Sequence, residues 1–289
     1  MNTIERDAPA KINWFLEVLH KREDGYHELV TVMQRIDWCD HLRFTQRDDG
    51  KLALTCSDPT LPTDEHNLVM RAAQALKASA PPERTEELGA DIHLEKNIPH
   101  GSGLGGGSSD AATTLMALND LWNLKYLKTK LDEIAGTIGS DINFFLADSP
   151  LALCEGRGER VTPLPKSESK SLIIVWPGIL VSTEKIFQSG LIDLRAQRLI
   201  CNFSDAVGGF GTGITFNRLQ RPCEILYSSV REALEAVQKI AGERAVTLSG
   251  SGSAFFVVCK DRGDAETLAS RIPPHFKTPA IVKVTATRA

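Results

Sequence analysis

Apolar residues along the chain recur with two periods, and the switches between them outline its elements. Leu68, Ala72, Ala75 and Leu76 mark one face of a helix over 67–77, and Leu131, Ile134, Ala135 and Ile138 one face of a helix over 129–138. Between them Ala111, Leu115, Leu118 and Trp122 share a face, with Ala112 and Met116 beside it, so a helix is expected behind Asp110. Leu226, Val230, Leu234 and Val237 predict a long helix over 222–241, and shorter helices are expected over 183–189 and 264–271. Alternation predicts strands over 8–16, 29–38, 41–57 with Asp48-Asp49-Gly50 as a turn, and 91–95. Residues 151–163 read as a hairpin, and 172–176, 246–248, 254–259 and 280–285 as further strands.

Residues 98–122 organise the rest. Five glycines in the seven positions from Gly101 to Gly107 leave the backbone without Cβ atoms, so its N–H groups can turn inward on an anion. The loop runs into the amino end of a helix, where unpaired N–H groups and the dipole favour a di- or triphosphate. Ser108 and Ser109 then have two uses open to them, capping the helix or reaching phosphate and a magnesium ion. Gly101, Gly103 and Gly106 also satisfy the spacing of a dinucleotide-binding turn, but that fold needs a strand ending in an acidic residue roughly 20 residues on, and a second helix stands there instead. No Gly-Lys-Ser/Thr closes the loop as in a P-loop. A flexible linker rarely lies between an apolar run and an amphipathic helix.

The order strand, strand, helix, strand, glycine loop, helix, helix describes an α+β domain rather than a doubly wound one. The polar, proline-bearing stretch 163–170 is the expected boundary, giving domains 1–164 and 165–289. Residues 195–218 read as irregular, and the rest of the second half fits a ferredoxin-like split βαβ. Across 289 residues, 42% hydrophobic content supplies real cores, and a net charge of −4 offers no general attraction to nucleic acid or an anionic membrane. Cys39, Cys56, Cys154, Cys201, Cys223 and Cys259 are scattered without a C-x-x-C, which fits reduced thiols in the cytoplasm and no zinc site. The start carries no basic-then-apolar signal, so a soluble cytoplasmic protein is expected.

Some polar residues stand at unusual places. In the first strand Lys11 and Asn13 project to one face and Ile12 and Trp14 to the other, which implies either an edge strand with a wet face or an anionic partner. A turn over 21–25 delivers Tyr26 and His27 to the next strand, as a binding pair or as a packed ring and a solvated imidazole. Asp141 follows Gly139-Ser140 and opens a short apolar run, where it is either a functional carboxylate or a helix N-cap.

Pro99-x-Gly-x-Gly-Leu-Gly-Gly-Gly-Ser-Ser-Asp110 closely resembles the phosphate loop of the GHMP kinases. Pro9-Ala-Lys-Ile-Asn13, Gly25-Tyr-His-Glu-Leu29, Gly139-Ser-Asp141, Gly156-Arg-Gly-Glu159, Pro177-Gly-Ile-Leu-Val-Ser-Thr183 and Leu248-Ser-Gly-Ser-Gly252 agree in order and spacing, so the similarity covers nearly the whole chain. The Gly-Tyr-His stretch and the amino-terminal motif are similar to the branch that handles a diphosphocytidyl substrate. This resemblance implies a two-domain GHMP kinase fold and ATP-dependent phosphorylation of the 2-hydroxyl of 4-diphosphocytidyl-2-C-methyl-D-erythritol, in the non-mevalonate isoprenoid pathway. It implies Lys11 and Asp141 as the catalytic pair, with ATP and Mg2+ held by Pro99, Gly101, Gly103, Leu104, Gly105, Gly106, Gly107, Ser108 and Ser109, the last a candidate magnesium ligand. Asn67 and Lys96 fall near the adenosine, and Asn13, Tyr26, His27, Thr183 and Phe187 around the cytidine. The chain departs from the family at Gln188, where relatives often carry lysine, at Ile142-Asn143 after Asp141, and at Asn217-Arg218-Leu219-Gln220. The implied partner is a small cytidine diphosphate polyol, with no nucleic acid or membrane, and the chain is expected as a monomer or weak homodimer. A GHMP kinase with another acceptor, and a catalytically silent nucleotide-binding relative, are the alternatives.

Overall fold

The computed structural model describes residues 2–194 and 215–289. Most of the stretch expected to be irregular, and Cys201 within it, fall outside the described residues. The chain gathers into two compact units: Met1–Ala10, Trp38–Ile98 and Gly106–Asp148 make the first, and Lys11–Asp37, Pro99–Gly105 and Ser149–Ala289 the second. Two long strands, β1 (Thr3–Lys21) and β2 (His27–Arg47), contribute residues to both. Sequence patterning breaks β2 near Asp40, because a buried strand rarely carries an unpaired carboxylate. The structure satisfies that carboxylate fully: Asp40 accepts from the backbone N–H groups of Asn97 (2.6 Å) and Ile98 (2.7 Å) and pairs with Lys96.

In the first unit β4 (Gly89–Glu95) pairs antiparallel with β2, from His41 opposite Glu95 to Arg47 opposite Gly89, and parallel with β3 (Leu52–Cys56). The Asp48-Asp49-Gly50 turn therefore joins two strands that do not pair, and not the hairpin its sequence suggests. Inserting β4 gives it hydrogen-bond partners on both edges while Ala90, Ile92 and Leu94 enter the core. Helices α1 (Leu68–Ala78), α2 (Gly106–Leu121), α3 (Lys128–Ile138) and α4 (Ile142–Leu146) complete this unit. Asn67 caps α1 by accepting from the Val69 N–H at 2.9 Å. The expected face of α2, Ala111, Leu115, Leu118 and Trp122, is buried, whereas Met116 is exposed. That helix starts five residues earlier than its apolar period predicts, inside the glycine run, because packing overrides the poor helix propensity of Gly106 and Gly107. A Cβ on Gly106 would lie 2.9 Å from the Lys96 ammonium and 3.1 Å from Ile98, so a side chain there would have to displace both.

In the second unit β5 (Leu151–Gly156) and β6 (Arg160–Pro163) form the expected hairpin, with β5 antiparallel to β2 from Leu29 opposite Gly156 to Gln34 opposite Leu151. The short β8 (Phe216–Asn217) runs parallel to β1. A second sheet has the order β11 (Ile281–Ala286), β7 (Ser171–Trp176), β10 (Phe255–Cys259), β9 (Val246–Leu248), antiparallel throughout. Helices cross between β7 and β9, namely α5 (Thr183–Gln188), α6 (Gln220–Leu226) and α7 (Ser228–Ala241), and α8 (Arg262–Ala269) crosses between β10 and β11, which is the ferredoxin-like order. The helix expected over 222–241 is thus two. Tyr227 breaks it at φ −127°, ψ 81°, where its ring packs against the cluster of Leu16, Val18 and Leu248 and its hydroxyl accepts from the Ser182 N–H at 3.1 Å. No helix among the described residues is long and apolar enough to cross a membrane.

Candidate active site

Lys11 and Asn13 lie inside the second unit, only 2% and 1% exposed, which removes the wet-edge reading of their strand face. A lysine so buried needs acceptors, and the fold supplies them. Its ammonium donates to the Gly103 carbonyl at 2.9 Å and to Asn13 Oδ1 at 2.7 Å. Asn13 is fixed in turn: Oδ1 also accepts from the Gly250 N–H at 2.8 Å, and its amide donates to Thr31 Oγ1 at 2.8 Å. Asn13, expected beside the cytidine, is therefore built into the mount of Lys11.

The glycine loop is tied to this mount. The Lys11 N–H donates to Leu104 O at 2.9 Å, Ser249 Oγ donates to Gly103 O at 3.0 Å, and the Ala254 N–H donates to Ser102 O at 2.9 Å. Gly103 has φ +80°, and a Cβ there would stand 2.1 Å from Ser249 O, so no other residue fits. Pro99 O accepts from Ser102 Oγ at 2.6 Å, and Gly101 and Gly105 also hold positive φ. Asn217 fastens the opposing turn by donating to Leu248 O and Gly250 O, each at 2.7 Å. Thr183, exposed at the start of α5, meets Ser251 at 2.7 Å on the same turn. Ser249, Gly250, Thr31 and Asn217 are the contributors that sequence reasoning missed. Ser249 and Gly250 lie in the Leu248–Gly252 motif and Asn217 in the 217–220 stretch, but the contact of the turn with Asn13 spans 237 positions of chain.

Within the first unit the glycine run becomes the first turn of α2. Gly106 faces Lys96, Gly107 approaches Leu68 beside Asn67, and Ser109 is wholly buried with its hydroxyl lacking a hydrogen-bond partner among the described residues. Lys96 is held between Asp40 and Asp110, the latter at 2.9 Å. Burial alone would lower the Lys96 pKa, and the two carboxylates more than offset it. Burial raises the Asp110 pKa to about 8 against the pull of Lys96. Asp141, half-buried, occupies the N-cap position of α4 but its carboxylate does not cap the helix. The departure at Asn143 has a structural use, donating to Asp132 O at 3.0 Å and so joining α4 to α3.

The predicted cytidine residues gather in the second unit. The His27 and Phe187 rings lie 5.0 Å apart at 32°, so Phe187 stacks on His27. Tyr26 is 54% exposed, with the Arg157 guanidinium 4.9 Å from its ring centre. Gln188 donates to Glu184 along α5 at 2.9 Å.

A family model described as the GHMP kinases N terminal domain matches residues 67–156, and one described as GHMP kinases C terminal matches 203–278. The chain belongs to the GHMP kinases. This GHMP kinase is 39% identical to a 4-diphosphocytidyl-2-C-methyl-D-erythritol kinase of Salinibacter ruber, over 94% of the chain and 95% of that protein. It is 40% identical to one of Ralstonia nicotianae, over 93% and 90%. Among solved structures, a 4-(cytidine 5'-diphospho)-2C-methyl-D-erythritol kinase superposes with a TM-score of 0.80 at 32% identity, covering 99% of this chain and all of that one. A homoserine kinase from Cytophaga hutchinsonii, 18% identical with a TM-score of 0.71 over 99% and 95% of the two chains, shares the fold.

Proposed function

We propose that this GHMP kinase transfers the terminal phosphoryl group of ATP to the 2-hydroxyl of 4-diphosphocytidyl-2-C-methyl-D-erythritol, a step of the non-mevalonate isoprenoid pathway. The observation that carries it is the buried Lys11 ammonium held on the carbonyl of the phosphate-loop residue Gly103. A cation fixed so close to a phosphate cradle lies where charge develops in phosphoryl transfer. The relatives, which match the chain almost end to end, support the acceptor.

ATP would supply the phosphoryl group when bound, and a magnesium ion would offset the charge of its phosphates. The residues fit both groups. Gly101, Gly103 and Gly105 turn the backbone at positive φ, the amino end of α2 offers its N–H groups, and the Ser109 hydroxyl, without a partner among the described residues, is an oxygen ligand of the right kind. Lys11 offsets charge on the transferring group and lowers the pKa of the acceptor hydroxyl. Asp141 accepts or orients the proton of that hydroxyl. Asn13, Thr31 and Gly250 keep Lys11 in place, and Lys96, paired with Asp40 and Asp110, supports the first turn of α2.

ADP release from the purified protein with magnesium and ATP tests this reading, comparing the diphosphocytidyl acceptor with the same polyol phosphate lacking cytidine. Turnover is expected only with the cytidine present. Equal turnover would keep the chemistry and remove the cytidine pocket, and reaction with neither would remove the acceptor. Asp141→Asn is expected to bind ATP like the parent and to lose turnover by about 10²–10⁴-fold; undiminished turnover takes Asp141 out of the mechanism.

A further inference from the structure

We infer that Arg157 is a specificity-determining residue of the nucleotide-acceptor pocket, backing one face of Tyr26 and pairing with the diphosphate of a pyrimidine nucleoside diphosphate group. The inference rests on the cytidine diphosphate reading above.

The Tyr26 ring is 54% exposed, and a guanidinium 4.9 Å from its centre covers it on one side. Ordering an exposed ring against a half-buried guanidinium costs conformational entropy. The backbones that present them are fixed separately. Arg22 N–H donates to Tyr26 O at 2.8 Å, the Tyr26 N–H donates to Asp24 Oδ1 at 3.1 Å, and Gly25 turns at φ +86°. Arg157 sits at the tip of the β5–β6 hairpin between Gly156 (φ +75°) and Gly158 (φ +116°), its N–H donating to Glu159 Oε2 at 2.6 Å. The register of Leu29 with Gly156, with Arg160 bonded to Glu28 at 2.7 Å, places the two turns side by side.

Charge separates Arg157 from its neighbours. Arg22 is committed to Asp24 and to Glu28 at 2.6 Å, and Arg160 to Glu28. Arg157 meets its carboxylate, Glu159, at the long distance of 3.8 Å and stays 27% exposed. Gln188, on α5 beside Phe187, is bonded to Glu184 and brings no positive charge. A planar guanidinium can stack on an aromatic face while its N–H edge remains open to phosphate oxygens, which an ammonium cannot match. Arg157 therefore orders the Tyr26 ring for a base on its open face and supplies the charge for the diphosphate next to that base.

The test compares the parent with Arg157→Leu and Arg157→Lys, using titration with cytidine diphosphate and with cytidine, and steady-state kinetics. Arg157→Leu should weaken cytidine diphosphate about tenfold or more and cytidine only about threefold, raising KM for the acceptor while kcat and KM for ATP hold within about twofold. Arg157→Lys should restore part of the diphosphate affinity and none of the cytidine affinity. Unchanged binding of both ligands by Arg157→Leu overturns the inference, as does an equal loss for both, which would leave Arg157 no diphosphate role. A parent protein that does not bind cytidine diphosphate removes the substrate reading itself.

Discussion

His27 is kept neutral by its surroundings: burial lowers its pKa below the ordinary imidazole value of 6.5, and the charge of Lys21 lowers it further. A neutral ring offers one donor and one acceptor, the pattern needed to read a base edge, whereas the protonated ring has two donors and no acceptor. Because the shift is downward, His27 stays neutral throughout the physiological range and charges only in acid. The kcat/KM for the acceptor should therefore hold near pH 7 and fall below pH 6.5, while KM for ATP stays level. His27→Asn should lower the plateau and abolish that acid limb; a limb that survives the substitution belongs to another group. At this scale the sequence was informative about which side chains are unusual and silent about their partners. The alternation of β1 put Lys11 and Asn13 on one face, but the Gly250 N–H that fixes Asn13 comes from the far end of the chain.

Helix α2 owes its position to its surroundings more than to its own composition. Its first turn holds two glycines, and it is seated against the buried set of Asp40, Lys96 and Asp110. Asp40, wholly buried, accepts from two backbone N–H groups as well as from Lys96. Asp40→Ala would strand those two donors and leave the buried Lys96 with Asp110 as its carboxyl partner, at a cost of about 3–5 kcal/mol. Urea unfolding should show that loss as a lower midpoint at unchanged m, and a change below about 1 kcal/mol would mean the seat does not depend on Asp40. Elements whose periods are set by local burial, α1, α3, β7 and β10, were readable to within two residues. Those shaped by tertiary contact were not: β4 inserted between β2 and β3, the early start of α2, and the break at Tyr227 each answer to residues remote in sequence.

For the whole molecule, the ferredoxin-like order followed from the succession of elements, because antiparallel sheets with two crossovers have few ways to close. Grouping into units was less accessible, since β1 and β2 each run through both and no local change of composition marks where a strand passes from one core to the other. This arrangement places Lys11, the Gly103 carbonyl, Tyr26, His27, Arg157 and Phe187 in the second unit and the first turn of α2 in the first. On the proposed function, a nucleotide on the glycine run and a cytidine diphosphate at Tyr26 are expected to report on separable contacts. Each ligand at about 100 times its Kd adds roughly 2.7 kcal/mol to the folded state, which raises Tm on the order of 5 °C for a chain of this size. Tyr26→Ala should lose most of the shift given by cytidine diphosphate and keep the shift given by a non-hydrolysable ATP analogue. Gly103→Ala should do the reverse, because its Cβ would meet Ser249 O and displace the loop. If both variants lose both shifts alike, the two ligands share one set of contacts, and the separate assignment of the glycine loop to ATP and of Tyr26 to the cytidine fails.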